Sequence, residues 1–137
     1  MITSCSASSK YGEGFSCEKA FDGNKDTKWR TKGGDTVGAW IRINLVGEYR
    51  LTKMMVMGPQ GMEHPAKDIS LAFSNGVPVD FTLDDTKSWQ TIDLVGIGND
   101  ILTNYANISV ISVYHQGDVR FSELKVFGYA SGMIKTT

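Results

Sequence analysis

The sequence predicts an all-β fold in the form of a two-layer sandwich, and three observations lead to that prediction. Short runs alternate between apolar and polar residues, which is the pattern of strands with one buried face. Gly, Pro, Asn or Asp bound most of these runs at short spacing. No segment of the 137 residues keeps an apolar stripe of 3.6-residue period over three turns. Six or more short strands without a helical segment indicate a sandwich.

Six predicted strands follow one another along the chain. The first is "AWIRINL", where Ile41, Ile43 and Leu45 alternate with Arg42 and Asn44, so that one face is apolar. Three further runs follow it, namely "LTKMMVMG", "DISLAFSNG" and "WQTIDL". The run "ISVISVY" then repeats the alternation of the first strand, and "FSELKVFG" is the last predicted strand. Together these runs supply enough apolar faces to enclose one core.

Length and charge restrict the organisation and the partners of the chain. Residues 1–130 are predicted to form one module, and residues 131–137, "SGMIKTT", a tail or linker. Fourteen Lys and Arg against fifteen Asp and Glu give a formal net charge of -1, so we expect no nucleic-acid partner. The polar start is not a secretory signal, which leaves a cytosolic protein or a piece of a longer chain as alternatives.

Two cysteines, Cys5 and Cys17, leave two possibilities open. A bridge between them would close a loop of about a dozen residues and contribute up to roughly 3 kcal/mol. Two free thiols are the alternative, because two cysteines alone do not reveal a redox compartment.

The stretch "EKAFDGNKDTKW" gathers hard oxygen donors in a short loop. Asp22, Asn24 and Asp26 repeat the D-x-N-x-D start of an EF-hand loop. The match then fails, because Thr27 stands at the sixth position and Gly33 at the twelfth. Oxygen donors at alternate positions still suit a Ca²⁺-sized ion, so the loop predicts either a calcium site of another kind or a polar turn.

Three motifs in order carry a family resemblance. "KAFDGNKDTKW", "AWIRINL" and "FSELKVFG" together resemble the discoidin domain, also called the coagulation factor V and VIII type C domain. Family 32 carbohydrate-binding modules are relatives of that domain, and the opening motif is similar to that of the N-terminal module of galactose oxidase. The resemblance covers about Ile2 to Tyr129. It implies a jelly-roll β-sandwich with close termini, in which loops at one end carry the ligand site.

The resemblance also implies a structural Ca²⁺ ion. Its ligands would be the Lys19 carbonyl, the Asp22 carboxylate, the Asn24 carbonyl, the Thr27 hydroxyl and carbonyl, the Ser122 carbonyl and the Glu123 carboxylate. Two carboxylates balance a dication, and the other donors are neutral oxygens without sulfur or imidazole. In this arrangement Asp26 is a solvated surface residue.

The sequence predicts a non-catalytic binding module. It contains no nucleophile elbow, zinc-protease motif or phosphate loop, so no residue is assigned to catalysis. Sugar sites need an aromatic face and groups that bond hydroxyls, held on loops. The predicted ligand-binding residues are accordingly Tyr11, Phe15, Arg30, His64, His115 and Arg120. Alternatively, Phe15 caps the core and the two arginines lie along the sandwich surface.

Of two tryptophans near the cation loop, one is predicted to be a core residue and the other to lie nearer the surface. Trp29 follows the cation loop and begins a strand, so it should be a core residue. Trp40 has the opposite parity to Ile41 and should lie nearer the surface.

Three functional alternatives follow from the resemblance. The first is lectin-like binding of galactose-type or related sugars on a polymer or cell surface, as a module of an extracellular enzyme or adhesin. The second is cell adhesion through anionic phospholipid or protein. Lipid binding needs large apolar residues at loop tips, and the loop "GPQGMEHP" offers only Met62, so the glycan prediction leads. The third is an intracellular protein-interaction subunit.

Overall fold

A computed structural model describes residues 2–60, 64–95 and 101–130 of the chain. These ranges contain strands and two 3₁₀ helices, the latter at Glu13–Phe15 and Cys17–Ala20. The strands are β1 (Ile2–Ala7), β2 (Trp29–Arg30), β3 (Trp40–Met57), β4 (Asp68–Phe73), β5 (Val79–Thr82), β6 (Trp89–Asp93), β7 (Leu102–Val110), β8 (Arg120–Phe121) and β9 (Glu123–Ala130).

The long strand β3 connects the two layers. Its first part pairs antiparallel with β1 and β7, and its second part pairs with β6 and β9. The pairing with β7 shifts register between Asn44 and Tyr49, and Gly47 between them has a φ of 85°, which glycine adopts without strain. The predicted strands "AWIRINL" and "LTKMMVMG" are therefore two halves of one bent strand, and their prediction as separate strands was wrong.

The fold class is confirmed as an all-β jelly-roll sandwich. One layer has the strand order β1-β3-β7-β4-β5. Strands β6 and β9 flank the second half of β3, and β2 pairs with β8. One core cluster contains Ile41 and Ile43 from the first half of β3 together with Met54 and Val56 from the second half. Alternate residues of β3 thus bury their side chains between the layers.

Some strand boundaries differ from the sequence prediction. Strand β7 begins at Leu102 and ends at Val110, so the predicted run "ISVISVY" contributes only its first three residues. The next residue, Ile111, is 47% exposed. Strands β1 and β5 were not predicted, because the serines of "ITSCSA" and the shortness of "VDFT" give no clear alternation.

Cys5 and Cys17 form a disulfide that ties β1 to the second 3₁₀ helix. The sequence separation of 12 residues corresponds to a stabilisation of about 3 kcal/mol in the chain-entropy account. The alternative of two free thiols is therefore wrong in this structure. The bridge fixes the segment that leads into the "FDGNKDT" loop.

The predicted tail, residues 131–137, lies outside the described residues, and so does Met62 of the loop considered for lipid binding. In the part of the chain that the structure describes, no helix has the length and apolarity that crossing a membrane requires.

Candidate functional site

The short ladder between β2 and β8 is the base of the site. Trp29 pairs with Phe121, and Arg30 pairs with Arg120. Trp29 is fully buried, as predicted, and its ring stacks on Phe121 with centroids 5.8 Å apart. The Trp29 indole N–H donates to the Ser9 carbonyl at 3.0 Å. The ladder therefore joins the core to the loop that follows β1.

The register of this ladder places two positive charges opposite each other, and Asp118 compensates them. Like charges on directly opposed strand residues repel. Arg30 Nε donates to Asp118 Oδ2 at 2.9 Å, and Arg120 Nε donates to Asp118 Oδ1 at 2.8 Å. The Asp118 side chain is only 5% exposed. It therefore acts as the shared counterion of both guanidinium groups.

Asp118 stays ionised in this position. Burial by itself raises the pKa of its carboxyl group, but the hydrogen bonds and charges of Arg120 and Arg30 outweigh burial. The pKa of Asp118 consequently lies below its ordinary value.

Tyr11 and Phe15 supply the aromatic part of the site. The Tyr11 N–H donates to the Arg30 carbonyl at 2.7 Å, which places the Tyr11 ring over the Arg30 guanidinium at 3.5 Å. Phe15 meets the Tyr11 ring edge to face, with centroids 5.5 Å apart. Tyr11 nevertheless remains 54% exposed, so the cation–π contact leaves much of its ring open to solvent.

His64 and His115 complete the cluster from two further loops. His64 Nδ1 lies 3.8 Å from Asp118 Oδ1, and the two imidazole centroids are 6.5 Å apart. His64 has a φ of 59°, which is uncommon for a residue other than glycine. A Cβ atom at Gly117 would lie 2.7 Å from His64 Cε1. Glycine at position 117 is therefore required for this placement of the ring.

All six predicted ligand-binding residues meet at this end of the sandwich. The structure adds Asp118, which the sequence analysis did not select. The sequence did contain an indication of this ion pair, because Asp118 and Arg120 are two residues apart and share one face of an extended segment. Arg120 is 9% exposed, so the guanidinium predicted to bond a ligand belongs mainly to the buried ion-pair network.

The predicted cation loop folds around Asp22. Asp22 Oδ1 accepts the Asn24 N–H at 3.0 Å, and Asp22 Oδ2 accepts the Thr27 hydroxyl. Thr27 also donates through its hydroxyl to the Asn24 carbonyl at 3.0 Å. Gly23 has a φ of 74°, which permits this tight loop. Asp26 is exposed, as predicted, and its N–H donates to the Asn24 side chain.

Glu123 faces this loop from β9. Glu123 is 6% exposed, and its Oε1 atom is buried without a hydrogen-bond partner among the described residues. Burial, followed by the hydrogen bond and the negative charge of Asp22, raises the pKa of Glu123 to about 7. Of the other predicted ligands, Ser122 is buried beside Glu123 and Lys19 lies in the second 3₁₀ helix, which contacts β9.

A separate cluster of residue types that can bind metals has a different explanation. Cys5, Cys17 and Glu18 have ligand atoms close together. The two sulfur atoms are bonded to each other, so thiolate ligands are not present there.

The architecture defines the class of the protein as a small β-sandwich module that carries an aromatic and ion-paired cluster on loops at one end. Within that class, the chain belongs to the F5/8 type C domain family, whose model matches residues 2–114. The matched segment contains Tyr11, Arg30 and His64, whereas Asp118 and Glu123 lie beyond it. No curated protein sequence matches the chain significantly.

Solved structures share this fold at low sequence identity. The family 32 module of NanJ from Clostridium perfringens, in complex with galactose, is 22% identical with a TM-score of 0.77, over 90% of this chain and 91% of that one. CpGH89CBM32-5 of the same organism, in complex with GalNAc-β-1,3-galactose, is 20% identical with a TM-score of 0.77, over 90% and 94%. Chitosan-binding module 1 of a Paenibacillus chitosanase/glucanase is 19% identical with a TM-score of 0.76, over 93% and 96%.

Proposed function

We propose that this module is non-catalytic and binds glycans, with galactose-type or related sugars as the ligand class. The observation that carries the proposal is the convergence of six residues around Asp118 at one end of the sandwich, from three loops and from the β2–β8 ladder. The sugar complexes of the similar structures support it, since NanJ is bound to galactose and CpGH89CBM32-5 to a galactose-containing disaccharide.

The geometry suggests how a sugar would be held. The open part of the Tyr11 ring offers a flat apolar surface for the C–H face of a pyranose. Arg30 is the neighbouring guanidinium, with its side chain 21% exposed, and it can donate to adjacent hydroxyl oxygens. His64 can donate or accept on the same side. Asp118 acts as a positioning residue because it fixes Arg30 and lies beside His64.

Tyr11→Ala is predicted to weaken sugar binding by at least about tenfold while leaving the melting temperature nearly unchanged. The stacking surface is lost, but a half-exposed ring contributes little to the core. Calorimetric titration with galactose and related saccharides measures the affinity, and a thermal melt measures the fold. Tyr129→Ala, at the far end of β9, is a matched aromatic control and should bind like the parent.

The same experiment separates the alternative function. Anionic liposomes and a glycan array are tested in parallel with the parent chain. Binding to liposomes without any glycan signal would contradict the proposal and favour the phospholipid or protein adhesion alternative. A Tyr11→Ala variant that binds sugar normally would instead show that the Tyr11 ring is not part of the sugar site.

We further propose a structural Ca²⁺ ion between the "FDGNKDT" loop and β9. The donor set fits such an ion, because two carboxylates meet there and the orphaned Glu123 oxygen has no partner among the described residues. Asp22 and Glu123 would supply the charge, and Lys19, Asn24, Thr27 and Ser122 neutral oxygens. The ion would neutralise the Asp22–Glu123 repulsion and join the first loop to the last strand.

Chelation is predicted to lower the melting temperature of the parent protein. An ion at 100 times its dissociation constant adds about 2.7 kcal/mol of stability. Glu123→Gln removes one of the two repelling charges, so it should be more stable than the parent in chelator and insensitive to added calcium. Asp26→Ala changes an exposed carboxylate of the same loop and should keep the full calcium response. A parent protein that melts identically with and without calcium would refute the site.

We also propose an extracellular or cell-surface location as part of a larger chain. The Cys5–Cys17 disulfide supports it, because such bonds persist mainly in oxidising compartments.

A further inference from the structure

The two histidines form a potential chelating pair within the site. His64 belongs to the β3–β4 connection and His115 to the β7–β8 connection, so the fold alone brings them together. Their ring centres lie 6.5 Å apart, with the planes inclined at 67°.

The Asp118 carboxylate lies near His64 Nδ1, at a distance longer than a hydrogen bond. His64 Nδ1 is buried and without a hydrogen-bond partner in the described part of the chain, and it lies 3.8 Å from Asp118 Oδ1. Metal-ligating histidines usually direct their second ring nitrogen toward a carboxylate, which fixes the tautomer. In the tautomer with the proton on Nδ1, the Nε2 lone pair of His64 would be available as a ligand.

The two rings differ in how firmly they are held. The His64 ring packs on Gly117, where any side chain would collide with it, and the His64 carbonyl accepts the Arg120 N–H at 3.2 Å. His115 is exposed. One ligand of the pair is therefore fixed by the fold, and the other can turn toward it.

We propose that His64 and His115 together bind a borderline-soft divalent ion of the Zn²⁺ class. With Zn–N bonds of about 2.1 Å, two imidazoles on one tetrahedral ion have ring centres about 5 Å apart. The observed separation of 6.5 Å is larger, so the rings would have to approach each other by about 1.5 Å, and the exposed His115 is the ring with room to move. Imidazole nitrogens select zinc, nickel or copper over calcium and magnesium, and water completes the coordination as in open zinc sites.

Zinc at this position would affect the glycan site. The ion would engage the His64 imidazole, which the proposed sugar site also uses, so zinc and sugar would compete. Zinc binding itself is independent of the proposed function, whereas the competition rests on it.

The test is a calorimetric titration of the intact chain with ZnCl₂ in buffer that contains excess calcium, so that the Asp22–Glu123 loop is already occupied. We expect one ion per chain and a shift of the histidine ring signals in NMR spectra. His115→Ala and His64→Gln should each weaken zinc binding by at least about tenfold. Gln116→Ala, an exposed neighbour, should bind zinc like the parent, and MgCl₂ should give no signal.

Two outcomes would overturn the proposal. One is a His115→Ala variant that binds zinc as tightly as the parent. The other is a parent protein whose Kd for zinc is above about 1 mM. A separate sugar titration, with and without zinc, distinguishes the two proposals. Zinc binding without any sugar binding would refute the glycan function alone, whereas sugar binding without zinc binding would refute only the metal site.

Discussion

Trp29→Ala is expected to destabilise the protein by about 3–5 kcal/mol, the range for removing a large aromatic side chain from a core. Trp29 is fully buried, with 0% of its surface accessible to solvent. The substitution removes the stack on Phe121 and leaves the Ser9 carbonyl without the indole donor. Denaturant unfolding with a linear extrapolation measures the change.

The effect of Trp29→Ala should reach the ligand site through the loop after β1. The Ser9 carbonyl is held by Trp29, and Tyr11 follows two residues later, so the loop that presents the aromatic ring loses one anchor. Trp40→Ala is the control, because Trp40 is only partly buried and should cause a smaller loss. A Trp29→Ala variant that is as stable as the parent but no longer binds sugar would show that Trp29 contacts the ligand directly.

The sequence was sufficient to predict the fold class because the strands of this module have one buried and one exposed face. Ile41, Ile43 and Leu45 appear as an alternation that no helix would produce. The same reasoning missed β1, where Cys5 stands between two serines and no regular alternation is visible. That strand is held by pairing with β3 and by the disulfide, and neither is visible in a local pattern. The continuity of β3 through Gly47 was equally hidden.

The site was predictable in its residue types but not in its connections. Aromatic and basic residues on candidate loops indicated Tyr11, Arg30 and His64, and the structure brings them together. Asp118 was missed because its role depends on the pairing of Arg30 with Arg120, which joins residues far apart in the sequence. Arg30 is consequently both an ion-pair partner and a candidate ligand contact, so its substitution would confound stability with binding.

Asp118→Asn is expected to destabilise the protein by about 3 kcal/mol or more near neutral pH. Removal of one charge from a buried network is strongly destabilising, because the charges that remain lose its compensation. Here Arg30 and Arg120 both lose their ion pair with Asp118 and remain opposite each other on the β2–β8 ladder. The asparagine side chain has nearly the same shape, so the loss reports charge rather than packing. Asp80→Asn, at an exposed position of β5, is the matched control and should change stability by less than about 0.5 kcal/mol.

The pH dependence of this difference tests its origin. The pKa of Asp118 is lowered from its ordinary value of 3.8, so the folded state binds the proton more weakly than the unfolded state. The stabilisation by Asp118 is therefore fully present above pH 3.8 and is lost as the pH falls through the lowered value. The stability of the parent should approach that of Asp118→Asn under acidic conditions, while the two remain well separated at neutral pH. A difference that stays constant from neutral to acidic pH would show that Asp118 acts through packing, because only an ionised carboxylate can hold the two arginines together.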